Sequence, residues 1–464
     1  TAHMSHPNTP TQIVVLGGSG DLAKHKLIPA LLHLYAKGFF PEQFRIVGVA
    51  RAPHSADEYR TLIEESIGSQ EHEHDQETIA NFCAHIDYQP GDLNEPNTYK
   101  TIADGISRFE ETIGMCTNKL FYLAVSPRLY ETIFTQLATS KAMVECDEAH
   151  GWSRILVEKP FGDDLAAAQK LDATLEQLYR EDQIYRIDHY LAKEAVQNIL
   201  SFRFANALIE HVWDHTHVTA VSITINESSD LSDRGRFFDR IGELRDMGQS
   251  HLLQLLALVA MEQPQCFDAP AIRQARANVL AALEPPAGAD ITRGQYLGYT
   301  AHDGVARDSK TETYVSFITT VATPRWEGVP FHLTAGKALG ENKVEVTLTL
   351  KDLTTLFDAT NCTTHRNTIT LTIQPEQRIA ININAKAPGL GFGIEDRELS
   401  FSCNDESDEI RNSYEKVLYD CICGDQTLFT TSVEVAAAWR FIEAVRERWQ
   451  DTPLISYVPG NPPQ

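Results

Sequence analysis

The spacing of apolar residues changes partway along the chain, and this change predicts two domains of different architecture. In the first part, short apolar runs alternate with longer stretches whose apolar residues recur every three or four positions. The predicted strands are residues 12–16, 44–50, 119–124 and 154–157, and the predicted helices are residues 21–37 and 127–140. This alternation predicts a Rossmann-type α/β domain with a doubly wound parallel sheet over residues 11–190.

From residue 191 onward, β-branched stretches with a period of two dominate the pattern. After a helix at residues 191–205, they predict strands at residues 220–226, 313–321, 343–350, 368–375 and 379–385. Helices are predicted at residues 246–262, 269–283 and 434–448. A period of two is typical of strands with one buried face. We therefore expect an α+β domain with a large, mainly antiparallel sheet over residues 191–464.

Composition narrows the possible partners. The 464-residue chain has a formal net charge of −24, which argues against a nucleic-acid partner because a phosphate backbone requires a basic face. No apolar run approaches the ~20 residues of a membrane span, so we expect no membrane partner. The eight cysteines lack zinc-site spacing, and free thiols are typical of a reducing cytosol. The first ten residues lack the apolar core of a signal peptide, so we expect a cytoplasmic protein.

A glycine-rich turn lies between the first predicted strand and the first predicted helix. It comprises Gly17, Gly18, Ser19, Gly20, Asp21 and Leu22, with Lys26 shortly after. The spacing G-x-x-G-x-x-A departs from the common G-x-G-x-x-G. Small residues at this place nevertheless let the backbone approach a pyrophosphate, and the helix N-terminus offers free N–H groups. The turn favours nucleotide binding, with a purely structural glycine turn as the alternative.

Basic residues follow two of the predicted strands. Arg51 stands where an NAD enzyme usually has Asp or Glu, and a cation there suits the 2′-phosphate of NADP. Lys159 follows residues 154–157, and the carboxyl ends of parallel strands are where such folds bind ligands. The alternatives are a solvated arginine and a capping turn with an exposed lysine. The isomer of the Lys159–Pro160 bond stays open.

Residues 186–194 read R-I-D-H-Y-L-A-K-E and lie at the predicted domain boundary. If the chain is helical from Tyr190 onward, His189 and Lys193 are four apart and share a face at the helix N-terminus. Two potential cations, a phenol and free backbone N–H groups would then form a phosphate site. A boundary helix with ordinary charged contacts is the alternative.

This stretch closely resembles the R-I-D-H-Y-L-G-K-E signature of the glucose-6-phosphate dehydrogenase family, from which only Ala192 departs. The glycine-rich turn, residues 158–162 (E-K-P-F-G) and residues 245–254 (R-D-M-G-Q-S-H-L-L-Q) also resemble that family, in its order. The likeness runs from about residue 13 to residue 457. It implies oxidation of glucose 6-phosphate to 6-phosphogluconolactone with reduction of NADP+, the first step of the pentose phosphate pathway. No metal is implied, because the proton goes to a side chain and the hydride to the cofactor.

The resemblance also implies roles for individual residues. His251 would be the general base and Asp246 would orient it, because imidazole takes up a proton near neutral pH. Lys159 would bridge the sugar and the nicotinamide. The implied cofactor residues are Gly17, Gly18, Ser19, Gly20, Asp21, Leu22, Lys26, Arg51, Asp92, Leu93, Tyr130 and Lys159. The implied substrate residues are Lys159, His189, Tyr190, Lys193, Glu227, Asp246, Lys337, Asn342 and Gln374.

Some positions depart from the family pattern. Relatives often have a basic residue where this chain has Asn342, and Lys343 beside it leaves that contact open. Some relatives hold a second, structural NADP through basic residues, where this chain has Thr334 and Thr372, so we expect no such site. The family also implies a homodimer or a homotetramer.

Two other functions fit parts of the sequence. An oxidoreductase of the glucose–fructose oxidoreductase type would combine a Rossmann domain with a sheet domain, but it would lack the motif at residues 186–194. A catalytically silent NADP-binding sensor would be expected to have lost His251, Asp246 or Lys159, and all three are present.

Overall fold

The computed structural model describes residues 9–69, 74–145, 151–231, 234–352, 366–391, 394–403 and 412–463. These residues form two compact units. The first holds the described residues within Thr1–Gly162, Ala166–Ala192 and Asp408–Ser432. The second holds those within Asp163–Leu165, Lys193–Ser407 and Val433–Gln464. A late segment of the chain thus belongs to the first unit.

The strands follow one another along the whole described chain. They are β1 (Thr11–Leu16), β2 (Phe44–Ala50), β3 (Ile86–Pro90), β4 (Asn118–Leu123), β5 (Ser153–Val157), β6 (Ile184–Ile187), β7 (Val218–Asn226), β8 (Leu283–Glu284), β9 (Ile291–Tyr296), β10 (Tyr314–Val321), β11 (Phe331–Gly336), β12 (Lys343–Leu350), β13 (Thr368–Gln374), β14 (Arg378–Lys386), β15 (Ile394–Ser402), β16 (Phe429–Thr430) and β17 (Leu454–Tyr457).

The α-helices lie between these strands. They are α1 (Ile28–Ala36), α2 (Ala56–Gly68), α3 (Gln76–Cys83), α4 (Pro96–Ile113), α5 (Tyr130–Thr139), α6 (Leu165–Leu178), α7 (Glu194–Phe204), α8 (Ala207–Glu210), α9 (Gly235–Phe238), α10 (Leu253–Ala260), α11 (Ala269–Ala281), α12 (Ser413–Cys423) and α13 (Ser432–Arg448).

The sheet of the first unit has the strand order β16-β6-β5-β4-β1-β2-β3. Strands β1 to β6 are parallel to their neighbours, and β16 runs antiparallel to β6. The order β3-β2-β1-β4-β5-β6 is that of the Rossmann fold, so the predicted doubly wound sheet is confirmed. All six residues of β1 are buried, as expected for a central strand covered on both faces.

The second unit contains a ten-stranded sheet in the order β15-β14-β13-β12-β7-β11-β10-β9-β17, with β8 paired to β10. Its pairs are antiparallel, apart from β7 with β11 and β9 with β17. Buried and half-buried residues alternate along β12 and β13, which gives the sheet one core face. The predicted large, mainly antiparallel sheet is confirmed.

Two predicted helices contain π-helical segments, in which hydrogen bonds run from residue i to residue i+5. The first, Ala23–Leu27, leads into α1. The second, Leu244–Leu252, leads into α10. Sequence periodicity predicted the helices at both places but not the wider turns within them.

The helix predicted at residues 191–205 begins later than expected. Residues 189–192 form turns, and α7 starts at Glu194 with Lys193 as its N-cap. A carboxylate oxygen of Asp188 accepts the N–H of Tyr190 at 2.9 Å, and its carbonyl accepts the N–H of Leu191 at 3.1 Å. These bonds close a turn where the helix was expected. The prediction that residues 189 and 193 share a helix face is therefore wrong.

The expectation of free thiols needs one correction. Cys116 is disulfide-bonded, whereas Cys83, Cys266, Cys403, Cys421 and Cys423 are free. Among the described residues, no helix is both long enough and apolar enough to cross a membrane.

Candidate active site

The glycine-rich turn packs directly against the backbone of β2. The N–H groups of Gly17 and Gly18 donate to the carbonyl of Val49 at 2.8 and 3.1 Å. Gly17 has a φ of +93°, a conformation that L side chains rarely adopt. A Cβ on Gly18 would lie 2.6 Å from the Cα of Gly48, too close for any larger residue. The small residues are therefore required for this turn to pass close to the neighbouring strand, as the dinucleotide fingerprint demands.

Two tyrosines that sequence reasoning missed support this turn. The hydroxyl of Tyr59 on α2 donates to the carbonyl of Gly18 at 2.7 Å, and burial raises the pKa of that phenol. The Tyr88 ring lies 4.7 Å away, and its hydroxyl donates to the carbonyls of Ala50 and Ala52 at 3.1 and 2.7 Å. The phenols therefore fix both the turn and the exit of β2 through neutral hydrogen bonds.

The rest of the predicted turn opens the first helix. Asp21 is exposed and pairs with Lys24, whose Nζ lies 3.6 Å from Oδ1. Lys26 is exposed on the π-helical segment, and Leu22 and Ser19 are half-buried. The two charged side chains, Asp21 and Lys26, thus remain accessible beside the glycine backbone.

Arg51 and Asp92 follow the ends of neighbouring strands β2 and β3. Arg51 is exposed. The Asp92 carboxylate accepts two hydrogen bonds from Asn94, both of 2.9 Å, which lower the pKa of Asp92, with a smaller contribution from the charge of Arg51. Leu93 is buried, which anchors this loop to the core. Cationic and anionic groups therefore stand together at the edge of the sheet where a nucleotide ribose would lie.

The end of β5 is organised around Glu158, which sequence reasoning assigned to a motif but not to a site. Its Oε1 accepts the hydroxyl of Tyr122 at 2.5 Å, and its carbonyl accepts the hydroxyl of Tyr130 at 2.9 Å. Burial alone would raise the pKa of Glu158, but hydrogen bonding and attraction to His189 outweigh it and lower that pKa. The adjacent Lys159–Pro160 peptide is cis, the isomer that the sequence left open.

One ring nitrogen of His189 is close to a carboxylate, and the other has no hydrogen-bond partner among the described residues. Its Nε2 lies 3.2 and 3.1 Å from the two carboxylate oxygens of Glu158, and its ring centroid lies 4.2 Å from that of Tyr414. Its Nδ1 is buried, with no hydrogen-bond partner among the described residues. A buried, unsatisfied ring nitrogen next to a carboxylate suits a group that donates to an anion.

Lys193 begins the second unit as the N-cap of α7, and its carbonyl accepts the N–H groups of Val196 and Gln197. The residue is half-buried. Its predicted phosphate role therefore depends on its own ammonium group and not on a helix face shared with His189.

A cluster of three carboxylates surrounds Lys337 in the second unit. Strands β7 and β11 are parallel and in register at Asn226 and Gly336, so the next residues, Glu227 and Lys337, emerge side by side. Lys337 pairs with Glu227 in a short contact, and its Nζ lies 3.7 Å from Oδ2 of Asp246. Predicted substrate residues Glu227, Asp246 and Lys337 are thus brought together.

The third carboxylate, Glu243, was not predicted. Its Oε2 lies 3.6 Å from Nζ of Lys337, the residue is fully buried, and neither carboxylate oxygen has a hydrogen-bond donor among the described residues. Burial raises the pKa of Glu243 to about 8 despite the nearby lysine. Burial alone would lower the pKa of Lys337, but Glu243, Glu227 and Asp246 raise it, so the lysine stays protonated.

Asp246 and His251 both lie on the π-helical segment Leu244–Leu252. Their separation of five residues equals the hydrogen-bond spacing of a π-helix, whereas five residues of an α-helix with 3.6 per turn point to different sides. His251 is 4% exposed. The local helix type thus places the predicted base and its predicted orienting acid one turn apart.

The remaining predicted substrate residues differ in their surroundings. The amide oxygen of Asn342 accepts the N–H of Ser228 at 2.7 Å, one residue after Glu227. Lys343 is paired with Glu345 at 2.9 Å. Gln374 is exposed at the end of β13. The structure therefore ties Asn342 to the Glu227 loop and engages Lys343 elsewhere.

Two family models match the chain and together cover almost all of it. One, described as the NAD binding domain of glucose-6-phosphate dehydrogenase, matches residues 14–198. The other, described as the C-terminal domain of glucose-6-phosphate dehydrogenase, matches residues 200–462. The first unit therefore contains a nicotinamide dinucleotide-binding domain.

Several known proteins are similar to this chain over most of their own length and almost all of its length. Glucose-6-phosphate 1-dehydrogenase from Bacillus subtilis is 37% identical, with 96% of this chain and 92% of the relative covered. The cytoplasmic glucose-6-phosphate 1-dehydrogenase 6 of Arabidopsis thaliana is 36% identical, with 97% and 88% covered. A solved glucose-6-phosphate dehydrogenase in complex with glucose-6-phosphate superposes with a TM-score of 0.91 at 31% identity, covering 99% of this chain and 96% of that one.

Proposed function

The chain belongs to the glucose-6-phosphate dehydrogenase family, and from that premise we propose that it oxidises glucose 6-phosphate to 6-phospho-D-glucono-1,5-lactone with NADP+ as the cofactor. The observation that carries this proposal is the π-helical segment with Asp246 and His251 one turn apart, next to the Lys337 cluster. The reaction would supply NADPH as the first step of the pentose phosphate pathway.

His251 is the general base in this proposal. An imidazole can take the proton of the anomeric hydroxyl near neutral pH, and the Asp246 carboxylate would orient the ring and stabilise the imidazolium that forms. Because His251 is almost fully buried, the proton is transferred where water is scarce and the charge of Asp246 is weakly screened. Asp246 also contacts Lys337, which limits its freedom to move away from this position.

The sugar and its phosphate would be held by two groups of residues. His189, Tyr190 and Lys193 would bind the 6-phosphate, with the unsatisfied Nδ1 of His189 as a donor. Glu227, Lys337, Asn342 and Gln374 would contact the sugar hydroxyls, Asn342 through the amide group that already fixes the Glu227 loop. The buried Lys337 offers a hydrogen-bond donor to the sugar hydroxyls, and the acids around it offer acceptors.

NADP fits the first unit because its glycine cradle leaves no room for a Cβ and exposes backbone to a pyrophosphate. The binding residues would be Gly17, Gly18, Ser19, Gly20, Asp21, Leu22, Lys26, Arg51, Asp92, Leu93, Tyr130 and Lys159. Arg51 would pair with the 2′-phosphate, and Lys159 would lie between nicotinamide and sugar. The bound cofactor supplies the acceptor for the C1 hydride.

We also propose a cytoplasmic location and a homodimer or homotetramer. The name of the Arabidopsis thaliana relative supports the location. Light scattering after gel filtration measures the oligomeric state.

The decisive experiment compares His251→Asn with the wild-type protein in an NADPH absorbance assay with glucose 6-phosphate. Loss of a general base should lower kcat by ~10²–10⁴-fold. The affinity for glucose 6-phosphate should persist, because the phosphate residues are intact. His211→Asn is the matched control, since His211 is exposed in the same unit. Near-normal turnover by His251→Asn would show that the base is assigned wrongly.

A further inference from the structure

A strongly cationic pocket lies in the second unit, away from the groups assigned above. It has a volume of about 290 Å³ and is lined by Ile241, Arg245, Arg293, Lys310, Thr311, Glu312, Arg446 and Trp449. Four of these eight side chains are basic, in a chain whose net charge is −24. Such a local excess of positive charge contrasts with the acidic protein around it.

The four basic side chains have no ion-pair partner in the described part of the chain. Arg245 donates to the carbonyls of Ile241, at 2.6 Å, and Arg240. Arg293 donates to the carbonyl of Lys310 at 3.3 Å and to that of Thr452 at 3.5 Å. Carbonyl acceptors orient these guanidinium groups without neutralising them.

The one acid in the wall, Glu312, does not balance the pocket. Its Oε1 accepts the N–H of Leu244 at 3.2 Å, and burial raises its pKa despite Arg293 and Arg245 nearby. Burial and the charge of Arg446 lower the pKa of Arg245, and the charges of Glu312, Asp163 and Asp164 oppose this only in part. Like charges therefore remain close together at this place, which is unfavourable unless an anion lies between them.

Three separate elements carry the three arginines of the pocket. Arg245 belongs to the π-helical segment, Arg293 to β9, and Arg446 to the last turn of α13. The Arg293 guanidinium carbon lies 4.5 Å from the ring centroid of the buried Trp449, which fixes its plane. The Nε of Arg293 is buried without a hydrogen-bond partner among the described residues. The site is thus built before any ligand arrives.

We propose that this pocket binds a small, multiply charged phosphate compound of the diphosphate class. Planar guanidinium groups match phosphate oxygens with two parallel hydrogen bonds, and three arginines with one lysine can meet several negative charges. Ligand pockets usually have volumes of ~300–1,000 Å³, so about 290 Å³ suits a small anion and not a dinucleotide. Arg293 lies over the ring of Trp449, which is itself buried, so this ring is not an exposed platform on which a base could stack.

A ligand in the pocket would alter the forces on the π-helical segment Leu244–Leu252, which carries the proposed catalytic residues. Arg245 directly precedes Asp246, and Glu312 holds the N–H of Leu244 on the same segment. Neutralising the repulsion between Arg245 and Arg446 would therefore change the forces on the turn that carries Asp246. The binding itself does not depend on the proposed reaction.

Isothermal titration with inorganic pyrophosphate tests the site. The protein is first saturated with glucose 6-phosphate and NADPH, so that the substrate and cofactor sites are filled without turnover. One mole of pyrophosphate should bind per chain, with an affinity that falls as NaCl rises. Arg446→Gln and, separately, Lys310→Gln should weaken it ~10-fold or more, the range for a charged hydrogen bond.

Arg440→Gln is the matched control, since Arg440 is exposed on the same helix as Arg446. Equal weakening by this variant, or unchanged binding in both pocket variants, would overturn the proposal. Lys310 is exposed, so its variant is expected to fold even if Arg446→Gln does not. Binding of ADP tenfold tighter than pyrophosphate would overturn the restriction to a small anion, whereas equal affinities support a site for the diphosphate group alone.

Discussion

The buried carboxyl group of Glu243 should make the stability of the protein decrease as the pH rises, and Glu243→Gln should remove this effect. The pKa of Glu243 is about 8 in the folded protein, against 4.5 for an exposed glutamate. Between these values the unfolded chain releases a proton that the folded chain keeps, so a rise in pH favours unfolding. Stability from this group is complete below pH 4.5 and is lost up to about pH 8.

The magnitude follows from this shift. Each pH unit inside the window changes the free energy of unfolding by ~1.4 kcal/mol, so a change from pH 5.5 to pH 7.5 costs ~2.7 kcal/mol. Lys337 is protonated in both states over this range, because its pKa is raised above an already high value. Glu312, whose pKa is also raised, is present in both proteins, and its charge has the smallest of the named effects on the pKa of Glu243. The difference between the two proteins therefore isolates Glu243.

Urea unfolding at pH 5.5, 6.5 and 7.5 measures this difference. Fluorescence and circular dichroism must give coincident transitions before a free energy is extracted. The advantage of Glu243→Gln over the wild type should grow by ~2.7 kcal/mol between the extremes. Glu376→Gln, an exposed glutamate of the same unit, should show no such trend. A difference that is constant with pH would refute the buried, protonated state of Glu243.

Three further substitutions test other parts of the molecule. Arg51→Ala should raise KM for NADP+ by ~10-fold or more, because a charged hydrogen bond to phosphate is lost, and it should leave KM for NAD+ unchanged. An unchanged KM for NADP+ in initial-rate assays would contradict the 2′-phosphate role. Gly18→Ala brings a Cβ to within 2.6 Å of the Gly48 Cα, so it should cost ~1–3 kcal/mol in urea unfolding and weaken NADPH binding; a wild-type midpoint would show that the turn can yield. Lys337→Met leaves the carboxylates of Glu227 and Asp246 without their cation, so it should cost ~3–5 kcal/mol in the same assay, and an unchanged midpoint would count against the cluster.

The apolar pattern predicted several of the elements whose burial is regular, but not all of them: β6 and β11 were missed. The strands predicted at residues 44–50 and 343–350 match β2 and β12 to the residue, since β2 is buried along almost its whole length and β12 alternates between buried and half-buried residues. Strand β15 was not predicted because it is almost entirely exposed, and its sequence I-E-D-R-E-L-S-F-S has no core face to register. A strand at the edge of a sheet is specified by backbone pairing, which leaves little trace in the side chains.

The candidate site was predictable only in part. The glycine turn and the strand-end residue Arg51 follow from local chemistry, but the roles of His251 and Asp246 depended on the resemblance. Nothing local marks Glu243 or Tyr59, because their contacts come from tertiary packing. A pattern with a period of 3.6 residues likewise does not reveal the wider turn of the π-helical segment Leu244–Leu252.

The return of the late segment to the first unit has a consequence for how the protein is made. α12 supplies the carbonyls of Cys421 and Ile422, 2.5 and 2.9 Å from Nη1 of Arg154, and β16 covers the free edge of β6. At ~5–20 residues per second, the ribosome needs on the order of ten seconds or more after β6 to deliver α12. During that interval the nascent Rossmann sheet has an open edge at β6, and Arg154 lacks these two carbonyl acceptors. The dinucleotide-binding half is therefore completed only after the segment that carries α12 and β16 has emerged, well after its parallel strands.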